Sequence, residues 1–392
     1  MIKRLLHVFL LILLAALLGA IVGGASAGFL HFIEWGQHWL WNELSAGLPL
    51  QALFLGVAGG LLVGLCQRYL GDHPPSITEA VAELRETGRL DYHHLPHGLM
   101  TAVSSLLFGA SLGPEAPITD LVGGLSTWVG DVIRAWRTRL ELPQLAETTN
   151  QWRRILQKWP NLIALGVGVL VFLRLLNGLY GEGLLRPAEP FQWNYLLWSV
   201  PLSLVGIAGG RLFLWLQTWT PRVVAPLRPY LVWRAVLGGL ALGITAVFLP
   251  LVLFSGQHAI QPAYEQATEL GFAVLALTGL ARLFLVSLLL ATGWKGGQFL
   301  PLMFGGAALG LAVSVLFPGI PGTVAALAAM AALTAVVLPK PIIALILMAL
   351  MFPWQYVGVS VVAVGVVVIG QSLAGVAAGK TRTAVKLPAA SD

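Results

Sequence analysis

The stretch SLLFGASLGPEAP at residues 105–117 has a counterpart in SLLLATGWKGGQFLP at residues 287–301. Each stretch follows an apolar run and precedes a short run rich in small residues. Each also carries two glycines and a proline at intervals of four, with a constant offset of 184 residues: Gly109, Gly113 and Pro117, then Gly293, Gly297 and Pro301. This shared spacing indicates that the chain is built from two related halves.

Both stretches predict the start of a helix that follows a glycine-rich, extended strip. Proline is favoured in the first turn of a helix, so Pro117 and Pro301 each mark a helix N-terminus. A helix start carries about half a positive charge and unpaired N–H groups, which bind an anion without any cationic side chain. We therefore expect backbone N–H groups of both strips to converge on one dehydrated anion. The predicted donors are those of Gly113, Glu115 and Ala116, and those of Gln298, Phe299 and Leu300.

The composition predicts a membrane protein. Of the 392 residues, 57% are apolar and only 10% are charged, whereas soluble domains carry about 25% charged residues. So few charges cannot cover a surface that faces water, which excludes a water-soluble enzyme. Six apolar runs are long enough to span a bilayer as helices. They are residues 5–33, 48–66, 195–216, 230–254, 270–292 and 357–379.

Other apolar runs are too short to span, and Gly, Pro or polar residues bound each one. They are residues 98–112, 117–133, 301–317, 323–338 and 341–352. Such segments survive at membrane depth only where they line a cavity or are buried in protein, which favours a transport protein. We predict one membrane domain over residues 1–380, with repeats at about 48–185 and 195–380, and a short polar tail at 381–392 without a regulatory domain.

The chain ends and the basic residues predict the topology. The run after Lys3 and Arg4 is longer than the core of a signal peptide, so we interpret it as a retained helix. Basic residues flank apolar runs and do not form a nucleic-acid face, so both termini are expected in the cytoplasm. Cys66 is the sole cysteine, which excludes an internal disulfide and a cysteine-based zinc site.

Glu115 is the anomaly of the first strip. A carboxylate at membrane depth costs about 3 kcal/mol on translocon scales, so it needs a reason. At an anion-binding helix start, an ionised carboxylate can occupy the place of the anion and leave it when protonated or displaced, which predicts a gate. A capping acid at an aqueous helix end is the alternative. Asp120 is either a pore-lining group or proton relay, or a charge that complements the same helix start.

These motifs resemble those of the CLC family of chloride channels and chloride/proton antiporters. The first strip of the family has the form G-[KR]-E-G-P, where this chain has GPEAP at residues 113–117; the second, G-x-F-x-P, is matched by GQFLP at 297–301. The resemblance implies an all-α polytopic membrane protein with two inverted-topology repeats and broken, re-entrant helices. It also implies that Glu115 is the external gating glutamate and that the amides of Gln298 and Phe299 hold the central anion.

The resemblance further implies a homodimer in the bilayer, with one pore per subunit and chloride or a similar small monovalent anion as the substrate. The plasma membrane is the expected location, and protons are a further candidate partner. No catalytic residue, metal or cofactor is expected.

Several positions depart from the family pattern. The serine motif is replaced by residues 71–77, GDHPPSI, where Ser76 still offers a hydroxyl. No tyrosine follows Tyr356 to serve as the central tyrosine. The segment that carries the inner, proton-passing glutamate is matched loosely by residues 168–175, where Arg174 and Leu175 stand in place of acids. These departures favour conduction over chloride/proton antiport, and both stay open.

Two other readings use different residues. Residues 109–113 satisfy G-x-S-x-G, so an intramembrane serine hydrolase with Ser111 as the nucleophile is a remote alternative. Such a hydrolase also needs a histidine within reach, and His258 is the sole histidine of the second half of the sequence. His93, His94 and His97 resemble metal ligands. Pro96 breaks their helical spacing, so a polar loop is favoured over a metal site.

Overall fold

The computed structural model describes the chain except for residues 1, 49, 72–82, 84–85, 88, 140–162, 164–165, 172–183, 188 and 385–392. Within the described part, the regular elements are helices, apart from one isolated bridge. Seven of these helices are long and apolar enough to cross a membrane. The predicted all-α polytopic membrane fold is confirmed.

The described helices are labelled in chain order. In the first half they are α1 (Ile2–His38), α2 (Gln51–Leu70), α3 (Leu95–Leu107), α4 (Glu115–Arg139) and α5 (Tyr195–Val224). The second half continues with α6 (Leu231–Phe248), α7 (Ile260–Glu265), α8 (Ala267–Thr292), α9 (Phe299–Leu316), α10 (Gly322–Val337), α11 (Pro341–Met351) and α12 (Val357–Ala384). A π-helical turn, Trp39–Leu44, continues α1.

Two predictions about the lengths of these helices are wrong. The run at residues 117–133 was expected to be short, but it lies in α4, which has 25 residues. Residues 301–317 were expected to be too short to span, but α9 begins two residues earlier and has 18 residues, enough to cross a membrane by length and composition. The apolar count began at Pro301, whereas the helix includes the residues before its proline. The expected short helices α3, α10 and α11 have 13, 16 and 11 residues.

The chain divides into two compact units. The first comprises Met1–Gly181, Pro226–Ile244 and Thr292–Gly297, and the second comprises Glu182–Ala225, Thr245–Ala291 and Gln298–Asp392. Each unit is thus assembled from separate stretches of sequence, and the first glycine strip shares a unit with residues 292–297 of the second block.

Within the first unit, glycines allow α2 and α6 to approach each other through their backbones. Gly56, Gly60 and Gly64 recur every fourth residue of α2 and are buried. A Cβ on Gly60 would lie 2.6 Å from the carbonyl oxygen of Ala235, and one on Gly64 would lie 2.5 Å from Cα of Val232. Small residues at this spacing are typical of membrane helix contacts. The chain has 45 glycines among its 392 residues, and part of this content therefore serves helix packing.

Within the second unit, α10 forms the centre of the core. Every residue of α10 from 323 to 335 is buried, so this helix is apolar on all sides. A Cβ on Gly206 of α5 would overlap with the carbonyl oxygen of Ala329, and one on Gly310 of α9 would overlap with that of Ala325. A 16-residue apolar helix is thus surrounded by protein, as expected for a segment too short to span alone.

Arg282 lies fully buried in α8 of the second unit. Its guanidinium donates to the carbonyl oxygens of Phe254 at 2.9 Å, Leu253 at 3.0 Å and Leu251 at 2.5 Å. It also stacks 4.6 Å from the centre of the Phe304 ring. Arg282 therefore anchors the non-helical chain that follows α6. No salt bridge among the described residues includes it, so carbonyl dipoles are what balance its charge.

Candidate anion site at the two glycine strips

The two strips meet in an isolated antiparallel bridge within the first unit. The N–H of Gly113 donates to the carbonyl oxygen of Gly297 at 2.7 Å, and the N–H of Gly297 donates to that of Gly113 at 2.6 Å. The N–H of Gly113 is therefore engaged in the bridge, and its predicted role as an anion donor stays a prediction. In the structure, Gly113 holds the two strips together.

The repeat predicted from sequence extends to backbone geometry. The first glycine of each stretch has positive φ, 79° at Gly109 and 97° at Gly293, a conformation that favours glycine. The proline of each stretch is the third residue of its helix, because α4 begins at Glu115 and α9 at Phe299. The prediction that both strips lead into helix starts is confirmed.

Three helices of the first unit, α2, α3 and α6, hold the second strip before α9 in place. Gln67 of α2 donates to the carbonyl oxygen of Gly293 and accepts from Arg234 of α6 at 3.0 Å. The indole N–H of Trp294 donates to Ala235 at 2.9 Å. The backbone N–H of Lys295 donates to Ser105 Oγ at 2.9 Å. These contacts leave the irregular backbone of the strip hydrogen-bonded although much of it is buried.

Glu115 is the first residue of α4, and its carboxylate folds back over the bridge. Its Oε2 is buried. A Cβ on Gly113 would overlap with this oxygen, and so would a Cβ on Gly297. Both positions therefore need glycine for space as well as for backbone pairing. The carboxylate lies at the helix start, where the macrodipole favours negative charge.

The start of α9 lies in the second unit. Gln298 is the N-cap residue, and its side chain does not cap the helix. Phe299 and Leu300 form the first turn of the helix. Leu300 is buried, while Gln298 and Phe299 are partly buried. At the start of α4, Ala116 is buried.

Asp120 and Ser76 are the remaining predicted site residues. Asp120 is 7% exposed in α4, five residues after Glu115, and this spacing rotates it about 140° around the helix from the gate candidate. Both interpretations of Asp120 stay predictions. Ser76 lies outside the described residues, so its predicted contribution also stays a prediction.

The local structure opposes a hydrolase at Ser111. A nucleophile elbow needs a strand before the serine, whereas α3 and the turn at Gly109 precede Ser111. The hydroxyl of Ser111 is fully buried, which keeps it from a substrate. Of the three histidines that resemble metal ligands, His94 has its Nε2 3.7 Å from Oδ2 of Asp91. The described residues contain no group of three or more His, Cys, Asp or Glu in position to hold a metal.

Sequence reasoning missed two polar residues next to the strips. Lys295 is a cation inside the second stretch, two positions before Gly297, and it is partly buried. A charged residue within an apolar, glycine-rich stretch is the signal that could have identified Lys295 as a site residue. Gln217 of α5 donates to the side chain of Gln298 at 2.6 Å. No periodicity in the sequence predicts that contact, because the two residues are 81 positions apart.

The chain is similar to a known family and to several known proteins. The family model described as voltage gated chloride channel matches residues 145–373, more than half of the chain. The putative ion-transport protein YfeO of Salmonella paratyphi A (strain ATCC 9150 / SARB42) is 25% identical over 358 residues, covering 81% of this chain and 83% of that protein. The voltage-gated ClC-type chloride channel ClcB of Escherichia coli O17:K52:H18 (strain UMN026 / ExPEC) is 25% identical over 341 residues, covering 76% and 79%.

Two solved structures share the fold. A slow cyanobacterial Cl⁻/H⁺ antiporter superposes with a TM-score of 0.67 at 21% identity, covering 91% of this chain and 94% of that one. A CLC-type fluoride/proton antiporter superposes with a TM-score of 0.66 at 20% identity, covering 92% and 94%. The matched residues of the family model include the second strip and exclude Glu115.

Proposed function

Because the chain belongs to the voltage-gated chloride channel family, we propose that it moves chloride or a similar small monovalent anion across a membrane, with Glu115 as the gate. The observation that carries the proposal is the position of the Glu115 carboxylate over the Gly113–Gly297 bridge. A negative group held at a helix start marks a place that favours negative charge.

The physical basis of the gate is competition between two anions for one place. An ionised carboxylate on the strips repels a mobile anion from the place that it occupies. Protonation removes the charge, and the side chain can then leave. Glycine at both bridge positions supports this role, since any larger residue would remove the space that the carboxylate occupies.

Proton-coupled exchange is the second candidate. It is favoured by the two proteins of similar fold described above, both of which are antiporters. The loose match at residues 168–175 argues the other way, because Arg174 stands where an inner acid would pass the proton. Conduction without proton coupling is therefore our first choice, and the experiment below separates the two.

We place the protein in the plasma membrane as a transporter without enzymatic activity, with both termini in the cytoplasm and two chains per assembly. Basic flanks of the apolar runs support the orientation. The resemblance of the two glycine strips to those of the CLC family supports the dimer. Each subunit would carry its own pathway.

The test is anion efflux from proteoliposomes with simultaneous recording of internal pH. We expect valinomycin to start chloride efflux from liposomes that hold the wild-type protein and potassium chloride. The variant Glu115→Gln keeps the size of the side chain and removes its charge. We expect faster efflux from this variant, by about tenfold if the gate contributes about 1.4 kcal/mol.

Asp131→Asn is the matched control, because it removes an acid from the exposed part of the same helix, where Asp131 pairs with Arg89 and Arg134. Its efflux should equal that of the wild type. Absence of chloride efflux from folded wild-type protein would overturn the transport proposal. Proton uptake into the liposomes while chloride leaves them would show that the protein is an antiporter and not a passive conductor.

A further inference from the structure

Two buried polar side chains lie one turn apart on α8, inside the second unit. Thr278 and Arg282 are both fully buried, with 0% of each residue exposed. Within the part of the chain that the structure describes, neither Thr278 Oγ1 nor Arg282 Nε forms a hydrogen bond. A buried polar atom costs free energy unless it is hydrogen-bonded. The two atoms therefore indicate a partner that the described residues do not supply.

The hydroxyl of Thr278 differs from that of a comparable threonine in the same unit. A threonine inside a helix can donate to the carbonyl oxygen four residues earlier, which satisfies the hydroxyl within its own helix. Thr334 of α10, which is 1% exposed, does so at 2.7 Å to Met330. Thr278 makes no such bond, so its hydroxyl is available to a group outside its helix.

The guanidinium of Arg282 is satisfied at its two terminal nitrogens. These nitrogens donate to the three carbonyl oxygens of the segment that follows α6, and Nε is the donor that remains. The salt bridges of the described residues do not include Arg282. Carbonyl dipoles lower the free energy of a buried cation, but they bring no net negative charge to it.

Helix geometry brings the two atoms to one place. Residues four apart lie on the same face of a helix, and a long side chain points back over the turn before it, so Arg282 extends toward Thr278. Its guanidinium stacks on Phe304 of α9. The carbonyl oxygen of Gly305 lies 3.0 Å from the position of a Cβ on Gly279. Both atoms therefore lie where α8 contacts α9. They form no hydrogen bond with each other, so one small group between them would reach both.

We propose that a small monovalent anion binds between Arg282 Nε and Thr278 Oγ1, at a site that shares no residue with the proposed gate. An anion accepts hydrogen bonds from both donors and also supplies a negative charge to the guanidinium, whereas a water molecule would supply hydrogen bonds alone. Because both residues are fully buried, the occupant is a halide and not a bulky organic anion. This inference does not rest on the proposed function.

The position of the anion can be tested by diffraction from wild-type crystals grown in bromide. Bromide scatters anomalously, so its peaks are distinguished from those of water. We expect an anomalous peak within hydrogen-bond distance of Arg282 Nε and Thr278 Oγ1. Density at this place without an anomalous signal would identify a water molecule and overturn the proposal, and the absence of any density there would overturn it as well.

Anion affinity is tested by thermal unfolding of the full chain in detergent. Chloride is exchanged for gluconate at constant ionic strength, and we expect the wild type to unfold at higher temperature as chloride increases, because a bound ion stabilises the folded state. Thr278→Val keeps the shape of the side chain and removes its hydroxyl. This variant should need about tenfold more chloride for the same rise, the effect of one hydrogen bond to a charged group.

Thr334→Val is the matched control, because it removes a buried hydroxyl that already has a partner in its own helix. It should unfold at lower temperature and keep the chloride dependence of the wild type. Stabilisation by an anion in the proposed pathway is common to all three proteins, so the difference between the two variants reports the new site. Equal chloride dependence in all three would overturn the proposal. Failure of chloride efflux would end the transport proposal alone, because the bromide peak at Arg282 does not depend on transport.

Discussion

Gly113 and Gly297 donate a backbone hydrogen bond to each other, at 2.7 and 2.6 Å, across a separation of 184 residues. They are also the positions that the sequence repeat makes equivalent. Reciprocal pairing of equivalent residues is what a two-fold relationship between the two strips produces, as in inverted repeats. The repeat is therefore the reason that the carboxylate of Glu115 finds glycine on both sides.

The space over this bridge can be tested with Gly297→Ala. A Cβ there would overlap with Oε2 of Glu115, so the carboxylate must leave its place while the backbone bridge keeps its hydrogen bonds. We expect faster chloride efflux, similar to that of Glu115→Gln. Adding Gly297→Ala to Glu115→Gln should give little further increase, because both changes act on one gate.

Gly130→Ala is the control for this substitution. Gly130 is a helical glycine of α4, and a Cβ on it meets no atom within 4 Å. Chloride efflux should stay at the wild-type level. The free energy of unfolding should rise by about 0.5–1 kcal/mol, because alanine is favoured over glycine inside a helix. Slower efflux from folded Gly297→Ala protein than from the wild type would contradict the gate position.

The sequence predicted the parts of this site that depend on local rules. The helix starts follow from the two prolines. Positive φ at Gly109 and Gly293 was not predicted, although the freedom of glycine permits it. The fate of the Gly113 amide could not be predicted, because a free N–H and one paired to a residue 184 positions away have the same local sequence.

Contacts made by single polar residues escaped prediction for a similar reason. The pairing of Gln217 with Gln298 depends on how α5 packs against α9, and no pattern within either helix contains that information. Arg282 lies inside an apolar run, where a charge must be paired, but its partners are carbonyl oxygens of the segment that follows α6. Every residue has a carbonyl, so side-chain identity cannot point to that kind of acceptor.

Arg282→Met tests the anchoring of the segment after α6. Methionine fills most of the same volume but donates no hydrogen bond, so three buried carbonyl oxygens lose their donor. At about 1 kcal/mol for each lost bond, we expect the free energy of unfolding to fall by about 3 kcal/mol. Thermal unfolding in detergent would measure the change.

Arg222→Met provides the comparison for Arg282. Arg222 is exposed near the end of α5, so its replacement should alter stability by no more than about 0.5 kcal/mol. Equal melting temperatures for the two variants would show that the carbonyl contacts of Arg282 do not stabilise the fold. Arg282→Lys should fall between, because one ammonium group cannot reach all three oxygens in the geometry of a guanidinium.

Gln67 links the second strip to α2 and α6, and Gln67→Leu tests whether that link supports the gate. The substitution removes the donor to Gly293 and the acceptor for Arg234. We expect a loss of about 2 kcal/mol in stability, since two buried hydrogen bonds disappear. Chloride efflux should also change, because the strip that carries Gly297 loses one of its anchors and the carboxylate of Glu115 rests on it.

Gln51→Leu separates these two effects. Gln51 donates to the carbonyl oxygen of Trp41 at 2.5 Å and to Ser45 Oγ at 2.7 Å, so its replacement also removes two hydrogen bonds, but at the opposite end of α2 from Gln67. Both variants should therefore unfold at lower temperature, whereas only Gln67→Leu should alter efflux below that temperature. If efflux follows stability alone, with equal changes in both, the strip does not depend on Gln67 for its position and the gate must be held by the remaining bonds from Trp294 and Lys295.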